Sequence, residues 1–118
     1  MKIAIPVDFD KNIVCVTFGR APFFGIKDTE TGDISYIENP ATKAQGGAGI
    51  KAAQAVVDSG ASALITVRLG GNSAEILNAA DIKIFKAEGI DVKANFNACE
   101  QGKLSVLTKF HSGYQGIR

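Results

Sequence analysis

A change of pattern about one third of the way along this chain constrains its fold more than any other feature. The first part holds an apolar run at 3–7 and two extended segments, Phe23–Asp28 and Ile34–Glu38, which flank a turn with glycine at position 32. This pattern predicts a strand and a hairpin that pairs antiparallel to it. From residue 47 onward, helical and extended segments alternate. Together these patterns predict a three-layer α/β domain, α/β/α, with helices on both faces of a mixed five-stranded sheet.

The second half of the chain supplies the predicted helices. In order, the expected elements are a helix over 47–59, a strand over 61–67, a helix that begins after residue 72, a strand over 81–85 and a helix over 91–102. Their inner stripes are predicted to be Ile50, Ala53 and Val57, then Ile76, Leu77 and Ala80, then Val92, Phe96 and Cys99. Asn72 is the expected cap of the second helix, because Glu75 follows at the spacing of a capping box. Residues 104–107 are predicted to be extended, and the single domain of residues 1–118 is expected to end in a mobile tail from about residue 103.

Composition excludes several classes of protein. With 118 residues, 46% of them hydrophobic and 21% charged, the chain has the size and apolar content of one globular domain. A net charge of +1, with no run of Lys or Arg longer than two residues, is not the footprint of a nucleic-acid binder. The apolar stretches are too short to span a bilayer. Two cysteines 84 positions apart form no disulfide framework, so the cytoplasm is the expected location.

Two glycine-containing loops predict an anion-binding site. They are Phe18-Gly19-Arg20-Ala21-Pro22-Phe23-Phe24 and Gly46-Gly47-Ala48-Gly49, and the second opens directly into a helix. Bare N–H groups and the positive end of the helix dipole suit an anion there, with positive φ angles expected at the glycines at 47 and 49. Arg68 follows a buried strand, at the sheet edge where the helix starts also lie. The predicted site residues are Phe18, Gly19, Arg20, Gly46, Gly47, Gly49, Arg68 and Asn72.

Two alternatives apply to these residues. The glycines could serve only to let the helix pack closely on the sheet, and both arginines could be solvated surface charges. The letters of Gly47–Ala52 also fit a dinucleotide fingerprint, but the preceding strand belongs to a hairpin and no acidic residue closes the following strand. The dinucleotide interpretation is therefore rejected.

Five segments in order carry a resemblance to a known family. They are Met1–Val7, Phe18–Phe24, Glu38-Asn39-Pro40, Gly46-Gly47-Ala48-Gly49-Ile50 and Gly70-Gly71-Asn72-Ser73-Ala74. The chain resembles, over roughly residues 1–102, the dinitrogenase iron–molybdenum cofactor biosynthesis family, which includes NifX, the C-terminal part of NifB and the nitrogenase accessory factor. The resemblance implies a ribonuclease H-like fold and a non-enzymatic protein that binds or carries an iron–sulfur or iron–molybdenum cofactor precursor, with cofactor-assembly proteins as partners.

The sequence departs from the family at two positions where metal ligands are expected. Thr17 and Gln45 stand where members often carry a histidine just before the Phe-Gly-Arg and Gly-Gly-Ala-Gly motifs. Cys15 lies two residues before Thr17, so in an extended segment both side chains point the same way. Cys15 is therefore the candidate metal ligand, with a structural thiol as the alternative. Cys99 is expected in the core, and His111 is expected to be an exposed bystander in the tail.

No enzyme chemistry stands out from the sequence. Asp8 and Asp10 near the end of the first strand could hold metal ions in a nuclease, but no basic groove accompanies them. A catalytic triad has only His111 to draw on. Two other functions stay open beside cofactor carriage. One is binding of a small anionic metabolite or nucleotide without metal, and the other is a regulatory interaction module whose exposed Phe18–Phe24 loop contacts a partner protein.

Overall fold

Five strands form one mixed sheet, as the hairpin and the following alternation predict. The computed structural model describes residues 1–110. The strands are β1 (Lys2–Val7), β2 (Phe23–Asp28), β3 (Ile34–Glu38), β4 (Ala63–Thr66) and β5 (Lys83–Lys86), and they lie in the order β3-β2-β1-β4-β5. β2 pairs antiparallel with both β1 and β3, whereas β4 pairs parallel with β1 and β5. The α/β prediction is confirmed, and the ribonuclease H-like classification stays a prediction.

Helices cover both faces of this sheet. They are α1 (Ala48–Asp58), α2 (Gly71–Ala79) and α3 (Val92–Glu100), and short 3₁₀ turns occur at Phe18–Arg20 and Pro40–Lys43. α1 and α2 pack against each other on one face, and α3 packs on the opposite face against β1 and β4. No helix within residues 1–110 is long and apolar enough to cross a membrane.

The central strand β1 is buried on both faces, which explains its nearly continuous apolar sequence. Ala4 points into the core beneath α1 and α2, whereas Ile3, Ile5 and Val7 point into the core beneath α3. Phe96 of α3 is fully buried in this second core. Because successive residues of a strand face opposite sides, one strand anchors both layers of helices.

The N-terminus of α2 differs from the capping-box prediction. Gly70, in an extended conformation with φ −77° and ψ 154°, is the N-cap, and no side chain caps this helix. Asn72 is consequently the second residue of the helix and Glu75 the fifth, and both are exposed. The prediction of Asn72 as the cap is wrong, because the helix begins at the glycine pair that precedes it.

Two predicted core positions are also wrong. Ile50 is 47% exposed, and Ala80 is exposed at the C-terminal end of α2. The buried residues of these helices are instead Ala52, Ala53 and Val56 in α1 and Ser73, Ala74 and Leu77 in α2. Ile50 lies in the first turn of α1 beside a cavity, so no neighbouring element covers its side chain.

The loop at Phe18–Phe24 is anchored in the core, contrary to the interpretation of an exposed loop that contacts a partner. Phe18 is 4% exposed and Phe24 is fully buried. Their rings pack together with centroids 5.3 Å apart. The two packed rings therefore form a rigid apolar base for Arg20, the charged residue of the loop.

The segment after α3 packs along the edge of β5. The Lys86 N–H donates to the Ser105 carbonyl at 2.8 Å, and the Leu107 N–H donates to the Ile84 carbonyl at 2.9 Å. Leu104 and Leu107 are buried. The extended conformation predicted for 104–107 is limited to an isolated antiparallel bridge between Val106 and Phe85, and the part of the expected tail between 103 and 107 is docked on the domain. His111 lies outside the described residues.

Asn39 ties the end of β3 to the loop that carries Arg20. Its side chain is 2% exposed, and its amide donates to the carbonyls of Ala21 at 2.9 Å and Gly19 at 3.3 Å. The side-chain oxygen Oδ1 of Asn39 accepts from the Ala41 N–H at 3.0 Å. A single buried side chain therefore fixes the loop relative to the sheet.

We expect Asn39→Ala to lower the free energy of unfolding by about 2 kcal/mol, because it leaves buried backbone groups without partners. Urea denaturation checks this value. Asn78→Ala is the matched control, since Asn78 is exposed on α2 and its side chain makes no hydrogen bond within residues 1–110. Equal stability of the two variants would contradict the assigned role of Asn39.

Candidate anion-binding site

A cavity of about 460 Å³ lies where the N-termini of α1 and α2 meet the loop after residue 15. It is at the carboxyl end of β4, the edge at which open α/β sheets bind ligands. Its lining consists of Val16, Thr17, Phe18, Gly19, Arg20, Gly47, Ala48, Gly49, Ile50, Arg68, Gly70, Asn72 and Ser73. A larger groove of about 910 Å³ lies between the β2–β3 hairpin and α1 and contains none of the predicted site residues.

The fold brings together seven of the nine residues that the sequence singles out for binding. Phe18, Gly19, Arg20, Gly47, Gly49, Arg68 and Asn72 line this one cavity. Gly46 and Cys15 do not line it. That these residues bind a ligand stays a prediction.

Both helices at the cavity begin without a side-chain cap. The N-cap residue of α1 is Gly47 and that of α2 is Gly70. Neither N-terminus has a side-chain acceptor for its first N–H groups. At α3, by contrast, the Asp91 carboxylate accepts from the Ala94 N–H at 2.7 Å. The first N–H groups of α1 and α2 also lack intrahelical partners, so they are available at the cavity to an acceptor.

Gly19 and Gly49 allow three chain segments to come into close contact. A Cβ atom on Gly19 would lie 3.2 Å from the Gly49 nitrogen, and one on Gly49 would lie 2.6 Å from the Ser73 Oγ. The expectation of a positive φ at Gly49 is wrong, because it is a regular helical residue of α1. These two glycines therefore serve close packing of α1 against the loop and α2, and not the packing on the sheet that the sequence suggested.

Gly47 has a different role from its neighbours. It is the N-cap of α1 and lies in the left-handed region, with φ 68° and ψ 27°. A Cβ atom there would meet no atom within 4 Å, so the constraint is the backbone conformation and not the space. This conformation turns the chain into α1 at the mouth of the cavity.

Two arginines place positive charge at the cavity. Arg20 ends the first 3₁₀ turn, and Arg68 lies two residues after the last residue of β4. A parallel bridge between Thr17 and Arg68 holds the two segments side by side. Both guanidinium groups are exposed, and neither forms an ion pair or hydrogen bond within residues 1–110. A ligand can therefore engage them without breaking an existing bond.

The residues around the cavity do not form a metal-binding cluster. Within residues 1–110, no group of three or more His, Cys, Asp and Glu side chains could hold a metal ion. The Cys15 thiol donates to the Thr17 carbonyl at 3.5 Å. Burial, with a smaller contribution from the charge of Asp8, raises the pKa of Cys15 above its ordinary value of 9.0. A raised pKa disfavours the thiolate, which is the form that binds metals.

Six residues that line the cavity were not predicted as site residues: Val16, Thr17, Ala48, Ile50, Gly70 and Ser73. Val16 and Ile50 are 50% and 47% exposed, and they form apolar parts of its wall. Ser73 is 3% exposed and faces the start of α1. The available signal for Ser73 was its place in the Gly70–Ala74 motif, where it directly follows the residue taken as the cap.

We expect Gly47→Ala to lower the free energy of unfolding by about 1 kcal/mol, because alanine is strained in the left-handed region. Gly46→Ala is the matched control, since a Cβ atom on Gly46 also meets nothing within 4 Å and its φ is not positive. The control should stay within about 0.5 kcal/mol of the wild type. Urea denaturation measures both, and an equal effect at the two positions would contradict the conformational argument.

Comparison with known proteins identifies the family. The profile of the dinitrogenase iron–molybdenum cofactor family matches residues 1–102. No curated protein matches the chain. The apo form of the orange protein from Desulfovibrio gigas is similar, with 32% identity and a TM-score of 0.84 over 91% of this chain and 92% of that one. A NifB-like protein of the DUF35 family from Thermotoga has 37% identity and a TM-score of 0.75 over 92% and 95% of the two chains.

A more distant structural relative shows the fold alone. It is a dinitrogenase-related protein from Methanocaldococcus jannaschii, with 21% identity and a TM-score of 0.69 over 92% of this chain and 96% of that chain. The family profile covers most of the sequence, and the similar structures span nearly their whole length. This chain belongs to the dinitrogenase iron–molybdenum cofactor family.

Proposed function

We propose that this protein binds and carries an anionic metal–sulfide precursor of the iron–molybdenum cofactor and catalyses no reaction on it. The observation that carries the proposal is the cavity at which two uncapped helix N-termini meet Arg20 and Arg68. Each helix N-terminus acts as roughly half a positive charge. The guanidinium groups add two full charges and forked donors. Family membership and the existence of an apo form of the orange protein both support a binding role.

The lining of the cavity favours a cargo that brings its own terminal ligands. No thiolate or imidazole side chain is among the lining residues. Thr17 lines the cavity at a position where the family often has histidine, and Gln45 is exposed outside the lining. A cluster whose outer positions are closed by sulfide is anionic and needs no metal bond to the protein. Hydrogen bonds from amides and guanidinium groups to the sulfides would hold it.

The apolar parts of the wall favour sulfide over a strongly hydrated oxyanion. Val16, Ile50 and Phe18 contribute carbon surface beside the cationic groups. Sulfide is large, polarisable and weakly hydrated, so contact with carbon costs it little. Burial of carbon surface against such a cargo also contributes favourable free energy.

Retention without metal–protein bonds also suits a carrier. A cargo held by hydrogen bonds and charge can leave without breaking a coordination bond, as delivery to a cofactor-assembly protein requires.

The second candidate is a small anionic metabolite or nucleotide bound without metal. The lining has no metal-ligating side chain, which supports this second candidate as much as the metal–sulfide cargo. Chemical analysis of the bound material is therefore needed to distinguish the two candidates.

Anaerobic purification, followed by an absorption spectrum and elemental analysis, tests the proposal. A brown protein with iron and sulfide in stoichiometric amounts, or one that acquires them on reconstitution with ferrous iron and excess sulfide, is the expected result. A colourless protein that takes up no metal would overturn it. A phosphate-bearing metabolite in such a preparation would support the second candidate.

We expect Arg20→Ala and Arg68→Ala each to weaken cargo binding by roughly 1.5–3 kcal/mol, through loss of a charge-assisted hydrogen bond. Iron retained after gel filtration of the reconstituted protein measures the effect. Lys51→Ala is the matched control, because it removes one positive charge from the exposed side of α1, outside this cavity. Equal losses in all three variants would show a response to net charge alone and contradict the assigned contacts.

We expect Cys15→Ser to leave cluster uptake unchanged, because the thiol lies outside the cavity lining and its raised pKa disfavours the thiolate. The same reconstitution assay measures uptake. Loss of iron binding in this variant would identify Cys15 as a metal ligand instead, as the sequence alone suggests.

A further inference from the structure

We infer that the Ser73 hydroxyl donates a hydrogen bond to the cargo in this cavity and selects a cargo that presents a hydrogen-bond acceptor to it. The inference rests on the proposed function and assigns a specificity-determining role to one side chain within it. Ser73 is 3% exposed and lines the cavity. Its hydroxyl makes no hydrogen bond with any residue between 1 and 110.

Ser73 is unusual among the buried polar side chains of the described region. The other three are Asn39, Thr66 and Asn95. Each has a protein partner, at 2.9 Å for the Asn39 amide, 3.2 Å for the Thr66 hydroxyl and 2.9 Å for the Asn95 amide. Buried polar groups nearly always have a partner, so an unpaired buried hydroxyl that lines a cavity points to a ligand.

The position of the hydroxyl defines what it can contact. The Ser73 Oγ lies 2.6 Å from the point that a Cβ atom on Gly49 would occupy. Because residue 49 is glycine, the oxygen fits against the first turn of α1 at the wall of the cavity. An acceptor bound there can receive the Ser73 hydroxyl together with the free amides of that turn. The missing side chain at Gly49 therefore leaves the space that the Ser73 hydroxyl occupies beside the cavity.

This arrangement narrows the chemistry of the cargo. The backbone N–H and guanidinium groups can only donate hydrogen bonds, and the Ser73 hydroxyl can donate one as well. A terminal sulfide or oxide can accept from all of these groups, whereas a hydrated metal cation can accept from none. The inferred cargo thus presents a sulfide or oxide to the Ser73 hydroxyl.

Ser73→Ala and Ser59→Ala form a matched pair of variants. The Ser59 hydroxyl already has hydrogen-bond partners within the protein. It donates to the Val56 carbonyl at 2.6 Å and accepts from the Ala61 N–H at 3.3 Å. Ser59 lies at the far end of α1, outside the cavity lining. Ser59→Ala should lower the melting temperature of the cargo-free protein and leave cargo retention unchanged. Ser73→Ala should leave the melting temperature unchanged or raised, and it should release the cargo about tenfold faster.

The experiment follows iron retained after reconstitution with ferrous iron and excess sulfide, the absorption spectrum of the loaded protein and thermal melts of the cargo-free protein. A shifted charge-transfer band in Ser73→Ala is expected, because hydrogen bonds to sulfur tune the cluster. A lower melting temperature in cargo-free Ser73→Ala would show a structural bond and overturn the inference. Retention and spectrum equal to the wild type would overturn it while the proposed function stands. Failure of the wild type to take up iron and sulfide would overturn both.

Discussion

The close approach of the first turn of α1 to the start of α2 determines the shape of the candidate site. At Gly49 the two helices are so close that a single added carbon would lie 2.6 Å from the Ser73 Oγ. On its other side, α1 meets Gly19, where an added carbon would lie 3.2 Å from the Gly49 nitrogen. Side chains at these positions would push the segments apart, because packed interiors have no spare volume. The absence of side chains therefore brings two helix dipoles and one loop to a common point.

The sheet and the loop supply the rigidity that such a site needs. Phe18 and Phe24 pack together beneath the loop, and Asn39 holds the loop from the end of β3. The Thr17–Arg68 bridge joins the loop to the end of β4. The polar groups thus stand on supports whose own conformations are determined by core packing. Donors held in place before binding lose little conformational freedom when a ligand arrives.

The side chains and helix termini around the cavity offer positive charge and N–H donors. Arg20 and Arg68 have no partner within the described region, and the helices have no side-chain caps at this edge. Burial raises the pKa of Cys15, the soft donor nearest in sequence. The negatively charged cargo proposed above would be held there by charge and hydrogen bonds. That proposal agrees with membership of the dinitrogenase iron–molybdenum cofactor family.

Local sequence patterns determined most of the fold. The hairpin strands Phe23–Asp28 and Ile34–Glu38 have the bounds that the alternation and the turn glycine predict, and α3 starts at its Asp91 cap as expected. These features depend on neighbours in sequence, so a reader of the sequence can find them. The sequence also marked the glycines and arginines that the fold gathers, because glycine at a helix start and an arginine after a strand are local signals.

Contacts between distant segments decided the rest. The true cap of α2, the exposure of Ile50 and the burial of Phe18 depend on how the helices and the loop pack, and no periodicity within one segment encodes that. The role of Gly49 is clear only beside Ser73, 24 residues away in the sequence. The same holds for the buried hydroxyl itself, because a serine in a helix becomes an unpaired donor only when a neighbouring helix removes it from water. The sequence by itself determined which elements form, whereas tertiary packing alone decided which polar groups are left free at the cavity.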